Sequence, residues 1–261
     1  MLIGKNAKAV SGICTADANS ITIRDRDLCG DLMGRLTFTE YFYLLVTGHE
    51  PSDDQRDFLD LLLVAIAEHG LTPTAVAARM TYDADPQSLQ SAVAAGILGC
   101  GPVVLGTSEL CGRLLTEAQA RVDAGESVAD VTRAMATETR KAGGMMPGFG
   151  HPLHRPVDPR AQRILSLVAE RGVGGTFVAL ARAFETAVAE AWGKPLPMNV
   201  SIPMAAVMLD LGFPAAMIKA IPLLARTGGL LAHLAEEQKS QIGFVMASHA
   251  EEAISYESSE A

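Results

Sequence analysis

The chain has 261 residues, with 21 Lys and Arg against 30 Asp and Glu, a formal net charge of −9, and 49% hydrophobic residues. That apolar share supports a full core and excludes an intrinsically disordered chain. The acidic balance argues against nucleic acid or an anionic membrane surface as the main partner.

The opening MLIGKNAKAV contains no apolar run of signal-peptide type. Cys14, Cys29, Cys100 and Cys111 form no CxxC pair and read as free or buried thiols of a reducing compartment, so a cytoplasmic protein is expected. Ser20–Arg24 (SITIR) is a short strand candidate; the rest of the pattern is helical. Residues 37–47 begin with Thr37 and Glu40, a capping-box pair, and stop at Gly48. Residues 53–69 repeat apolar positions at helical spacing and stop at Gly70, and Thr72-Pro73 restarts a helix with a capping hydroxyl and a first-turn proline. Helices are also expected over 87–98, 108–124, 127–142, 159–171, 175–192, 203–211, 214–225 and 229–238. The apolar stretch Ile218–Leu234 is interrupted by Lys219, Pro222, Arg226 and His233, so no transmembrane segment is expected. The tail after Glu251 is expected to be mobile or partner-bound. The fold class is all-α.

Gly143–Pro159 (GGMMPGFGHPLHRPVDP) is a long non-helical segment between two helices, and such loops are often functional. His151 follows two glycines that permit close backbone approach to a ligand. Asp158 and Pro159 suit the N-cap and first position of the next helix. Arg160 then sits in the first turn, where the helix dipole disfavours a cation by about 0.3–1 kcal/mol unless an anion is bound. A solvated surface arginine is the alternative. Arg226 has apolar neighbours on nearly every side, so it needs either an internal Asp or Glu partner or a ligand carboxylate. His69 lies at a helix C-terminus, and His233 reads as a hydrogen-bonded packing residue. His151 and His154 lack further metal-ligand spacing, so no metal is expected. With no GxGxxG before a helix, no P-loop and no GxSxG, nucleotide-fold and serine-hydrolase readings have no support.

Together, Gly148-Phe149-Gly150-His151 and Asp158-Pro159-Arg160-Ala161 resemble the GFGH…DPRA segment of the citrate synthase superfamily. Thr39–Leu45, Glu68–Leu71, Ser91–Gly96, Asn199-Val200 and Ala225–Thr227 support the match from about Phe38 to His233. The short N-terminal part is similar to the citryl-CoA lyase branch. The resemblance implies an all-α homodimer with a large helical domain (about 1–110 and 200–261) and a small coenzyme A-side domain (about 111–199). It implies that His151 hydrogen-bonds the oxygen at the carbon–carbon bond being made or broken. His69, Arg160 and Arg226 would bind carboxylates of an oxoacid. Met145, Met146, Gly148, Phe149, Gly150 and Arg155 would line the coenzyme A site. The substrate would be a coenzyme A thioester, with no tightly bound cofactor.

Two departures stand out. The synthases carry a histidine for the thioester oxygen where Val104 stands here, and a proton-abstracting aspartate where Ser201 stands. Ser201 is expected to be a plain helix N-cap, because neutral serine is a very weak base. Losing the base costs about 10²–10⁴-fold in rate and losing an oxyanion donor about 10²–10³-fold. The expectation is therefore citryl-CoA lyase-like cleavage in which His151 takes the hydroxyl proton and water or another group protonates the enolate, with citrate synthesis or a catalytically impaired dicarboxylate- or coenzyme A-binding protein as alternatives.

Overall fold

In the computed structural model residues 9–258 are described. The chain divides into two compact units, one ending at Asp60 and the other beginning at Leu61.

The expected strand is the middle one of an antiparallel sheet ordered β1 (Cys14–Ala16), β2 (Ile21–Ile23), β3 (Arg26–Asp27). Thr22 pairs with Thr15 on one side and Asp27 on the other. Arg24 and Asp25, at φ 46° and 65°, make the tight β2–β3 turn, and a two-residue turn with both φ positive suits the strand twist. Helix α1 (Phe38–Thr47) has the expected capping box between Thr37 and Glu40 and ends at left-handed Gly48. Ile23, Leu32 and Leu44 form the core of this first unit.

Helix α2 (Asp53–Ala67) ends two residues before the predicted stop, leaving His69 beyond its C-terminus. The second unit continues with α3 (Pro73–Ala84), α4 (Leu89–Leu98), α5 (Thr107–Asp123), α6 (Val128–Lys141), α7 (Pro159–Arg171), α8 (Thr176–Trp192), α9 (Ser201–Asp210), α10 (Ala220–Glu237) and α11 (Gly243–Ala253). Within it α3, α4 and α10 pack around Ala75, Ala78, Ala92, Leu230 and Leu234, and α5 packs on α8 and α9. Alanine on these faces leaves room for close helix approach.

Three further differences from the sequence expectation each have a physical reason. The predicted helices 214–225 and 229–238 are largely one, α10, continuous through Gly228 and Gly229 after a short 3₁₀ turn at Ala215–Met217. Gly229 is a contact point rather than a breaker, because a Cβ there would collide with the Ala67 carbonyl. Ser201 is the first residue of α9, not its cap; its backbone N–H donates to Asn199 Oδ1 (3.1 Å). Helix α11 occupies a stretch for which no element was expected and runs only two residues into the expected loose tail after Glu251; its first turn is held because Glu237 Oε1 accepts from the backbone N–H groups of Ile242 and Gly243. Residues 259–261 of that tail lie outside the described ones.

By length and composition Ala215–Glu237 could cross a membrane. In the fold it is a core helix: Arg226 and Glu237 are buried on it, and both are bonded to protein groups.

Candidate active site

The glycine loop is clamped before it reaches the site. Phe149 bridges Met198 in antiparallel fashion, Gly150 N–H donates to the Pro197 carbonyl (2.7 Å), and Asn199 N–H donates to the Gly148 carbonyl (2.8 Å). Gly148 is left-handed at φ 83°, and a Cβ there would collide with the Ile202 side chain on α9. These pairings fix the backbone from which His151 projects. Behind it, buried Asp158 caps α7. Its carboxylate accepts from Arg160 N–H (3.0 Å), Arg160 Nε (3.1 Å), Arg160 Nη2 (2.9 Å) and Val200 N–H (3.1 Å). Burial pushes its pKa up, but the Arg160 guanidinium and the two backbone donors outweigh that and hold it below the usual carboxylate range.

A cleft of about 290 Å³ opens in the second unit. His69, Thr72 and Ile66 from the α2–α3 region line it, with Val103–Leu105 before α5, Gly150 and His151 from the loop, Arg160 on α7, Asn199–Ser201 at the start of α9, and Arg226 on α10. His69, His151, Arg160, Arg226 and Ser201 thus converge on one cavity.

Among the described residues Arg226 lacks the internal carboxylate partner that was one of its two alternatives. It is 2% exposed, yet no Asp or Glu pairs with it among the described residues. Its Nη1 donates to Thr72 Oγ1 (2.9 Å) and Thr74 Oγ1 (3.3 Å), its Nη2 to the Ile66 carbonyl (3.4 Å), and its Nε has no partner. Burial lowers its pKa against the attraction of Glu68. A buried guanidinium bonded only to neutral groups carries a desolvation cost that an anion in the cleft would offset. The Thr72 hydroxyl, expected to cap α3, makes no cap bond; it serves Arg226 and Thr74 instead. Arg160 is neither a solvated surface arginine nor an uncompensated first-turn cation, because the Asp158 fork neutralises and aims it.

His151 is half-buried. Burial and the neighbouring His154, Arg160 and His69 lower its pKa against the pull of Asp158, which favours the neutral ring. Its Nδ1 accepts from the backbone N–H groups of Leu153 (3.1 Å) and His154 (2.9 Å). An Nδ1 that accepts must be unprotonated, so the neutral ring carries its hydrogen on Nε2. His151 therefore offers a hydrogen-bond donor, suited to a carbonyl or developing alkoxide oxygen. The same tautomer has no lone pair at Nε2, which opposes reading His69, His151 and His154 as a metal-ligand set although their ring nitrogens lie within 4.8 Å of one another.

The other predicted residues divide by exposure. Met145 and Arg155 are exposed, and Gly150 borders the cleft. Met146 and Phe149 are 2% and 7% exposed and Gly148 is buried against Ile202, so these three occupy packing positions rather than an open ligand surface.

Sequence reasoning missed Arg79, fully buried on α3. It donates through Nε to His233 Nδ1 (2.9 Å) and pairs with Glu236 and Glu237 of α10. His233 has the expected hydrogen-bonded packing role, and its Nε2 lies 3.0 Å from Glu68 Oε2. Glu68 also accepts from the backbone N–H groups of His69 (2.7 Å) and Gly70 (2.6 Å), so a polar network leads from α3 and α10 to the residue that lines the cleft. Burial raises the Glu68 pKa, but His233 and the backbone donors outweigh it, leaving it below the carboxylate range.

Residues 6–243 match the family described as citrate synthase, C-terminal domain. The chain belongs to the citrate synthase family. A solved citryl-CoA lyase from Hydrogenobacter thermophilus superposes with a TM-score of 0.84 and 28% identity, covering 97% of this chain and 96% of that one. Citrate synthase from Haloferax volcanii is 28% identical over 204 residues, 75% of this chain and 50% of that protein. The chain thus spans about half the length of the curated relatives it matches. An ATP citrate lyase from Methanothrix soehngenii, solved with citrate and coenzyme A, shares the fold at a TM-score of 0.76 and 19% identity, covering 98% of this chain and 42% of that one.

In this citrate synthase family member both departures fall in the cleft itself: Val104 and Ser201 line it, and none of the described residues lining it is Asp or Glu. The cleft carries cationic and hydrogen-bonding groups and an apolar wall at Val103–Leu105.

Proposed function

We propose that this protein is a citryl-CoA lyase-like enzyme that cleaves citryl-CoA, or a related 3-hydroxy-3-carboxyacyl-CoA, to an acyl-CoA and oxaloacetate or a similar oxoacid. The observation that carries the proposal is the content of one cleft: Arg226 without a carboxylate partner among the described residues, Arg160 and His151 beside it, and Ser201 and Val104 where a synthase would need an ionised base and a thioester donor. The similarity to a solved citryl-CoA lyase over nearly both full lengths supports the same reading.

In this reading Arg226 and Arg160 bind the carboxylates of the oxoacid portion, with His69 beside them. His151 Nε2–H donates to the tertiary oxygen as the carbon–carbon bond breaks and that oxygen becomes a carbonyl. Because the Nδ1 contacts leave His151 no free lone pair, the hydroxyl proton passes to water rather than to this ring. The electron pair of the broken bond forms the acyl-CoA enolate, which takes a proton from water. In the same reading the exposed loop residues Met145 and Arg155, with Gly150 at the cleft border, meet the coenzyme A portion. We include the homodimer in the proposal.

The test is to mix purified protein with citryl-CoA and quantify oxaloacetate and acetyl-CoA. Release of both, lost in His151→Ala, supports the proposal. Oxaloacetate binding without any cleavage of this or a longer 3-hydroxy-3-carboxyacyl-CoA favours an impaired binding protein instead.

A further inference from the structure

His154 does not line the cleft, but it touches both imidazoles that do. Its Nε2 lies 3.0 Å from His69 Nε2, and its ring stacks on His151 with centroids 4.4 Å apart and planes at 28°. Its backbone N–H is one of the two donors that set the His151 tautomer.

Two ring nitrogens at 3.0 Å can hold one hydrogen between them, not two. The neutral His69–His154 pair therefore has one ring protonated on Nε2 and the other on Nδ1. A third proton fits, because it goes to the remaining Nδ1 and leaves a charge-assisted N–H···N bond between imidazolium and imidazole. A fourth would place two hydrogens face to face. In the singly charged pair both Nδ1 atoms carry hydrogen, so His69 presents an N–H outward whichever ring began with it.

The charges around the pair give this proton a use. Arg160 is offset by Asp158, His151 favours its neutral form, and Glu68 faces His233 and the backbone N–H groups of His69 and Gly70. Arg226 is the cation lining the cleft that has no carboxylate partner among the described residues. A dicarboxylate thus brings two negative charges to a cavity with one uncompensated positive charge.

We propose that His154 is a positioning residue that makes His69 a proton-accepting half of the dicarboxylate site, so that the His69–His154 pair takes up one proton as a dicarboxylate binds. The inference rests on the cleft accepting a dicarboxylate, as in the proposed function, but not on cleavage. Its consequence is a linkage: where uptake is complete, affinity weakens about tenfold for each pH unit of increase.

The experiment is calorimetric titration of the full chain with malonate at pH 7.5 in buffers of different ionisation enthalpy. The slope of observed heat against buffer enthalpy counts protons. The expected result is uptake approaching one proton per malonate in the wild type, falling to well under half in His154→Phe, which keeps a stacking ring but lacks Nε2. A merely structural role would change affinity without changing that count. No uptake in the wild type, or an unchanged count in His154→Phe, overturns the proposal. Should His154→Phe not fold, ¹⁵N spectra of wild-type histidines decide: two rings must gain the signature of a shared proton on malonate addition, and a change in one ring or none overturns it. Binding with proton uptake but no citryl-CoA cleavage retains this inference and removes the lyase reading. Cleavage with no uptake does the reverse, and absence of malonate binding removes the dicarboxylate site on which both stand.

Discussion

Replacing Arg226 by methionine separates binding from stability. In the free protein the guanidinium is buried and makes three hydrogen bonds to neutral groups; two are long, at 3.3 and 3.4 Å, so the set averages about 1 kcal/mol net each rather than the larger value of a well-formed charged bond, and Nε is left without a partner. Against that stands a desolvation cost of several kcal/mol for one buried ion. Methionine keeps most of the packing volume, and Thr72 and Thr74 retain each other as hydrogen-bond partners. The balance favours the variant by about 1–2 kcal/mol, a rise in melting temperature of roughly 2–8 °C for a chain of this size. Dicarboxylate affinity should fall by about 2–4 kcal/mol, or roughly 30- to 1000-fold, the usual consequence of removing one partner of a buried charge pair. Thermal unfolding followed by fluorescence and malonate titration by calorimetry measure the two effects on the same sample. A variant destabilised by more than about 2 kcal/mol, with malonate affinity intact, would refute the argument that Arg226 is held for a ligand anion.

His151→Ala should lower citryl-CoA cleavage by about 10²–10³-fold, the range for loss of one oriented donor to a developing oxyanion, with little change in malonate affinity; steady-state kinetics and titration check both parts. Asp158→Asn should reduce the acid sensitivity of folding. Since the native carboxyl has a lowered pKa, its stabilisation is present above the ordinary aspartate value and is lost as pH falls through the native one; urea unfolding between about pH 5 and pH 2 should show a shallower decline in the variant. Ser201→Asp should raise acetyl-CoA methyl proton exchange measured by NMR, because it puts a carboxylate on the wall where none now lies. No increase would mean that Ser201 does not face the acyl carbon or that the cleft suits another acyl group.

Much of the site was legible in sequence because its signals are local. The glycines before His151, the Asp158-Pro159 helix start and an arginine among apolar neighbours each carry a physical meaning within a few residues. The capping box of α1 is of the same kind. What was missed depends on contacts between distant positions. Arg79 looks like an ordinary solvated helix charge until α10 supplies His233, 154 residues away, to meet it. His154 looks idle until His69, 85 residues earlier, arrives at hydrogen-bond distance. Gly228-Gly229 looks like a helix break because the sequence does not display Ala67, which needs the absent side chain to pack. The role of Arg160 was half visible: the cap and the guanidinium could each be read, but the fork that joins them is a matter of side-chain geometry.

The central claim is that Arg226, Arg160 and His151 hold one small diacid in a shared cleft. A crystal structure of the protein soaked with oxaloacetate tests it most directly. The account predicts carboxylate oxygens within hydrogen-bond distance of both guanidinium groups and the keto oxygen facing His151 Nε2. An oxaloacetate bound elsewhere, or a cleft left empty at saturating ligand, would contradict it.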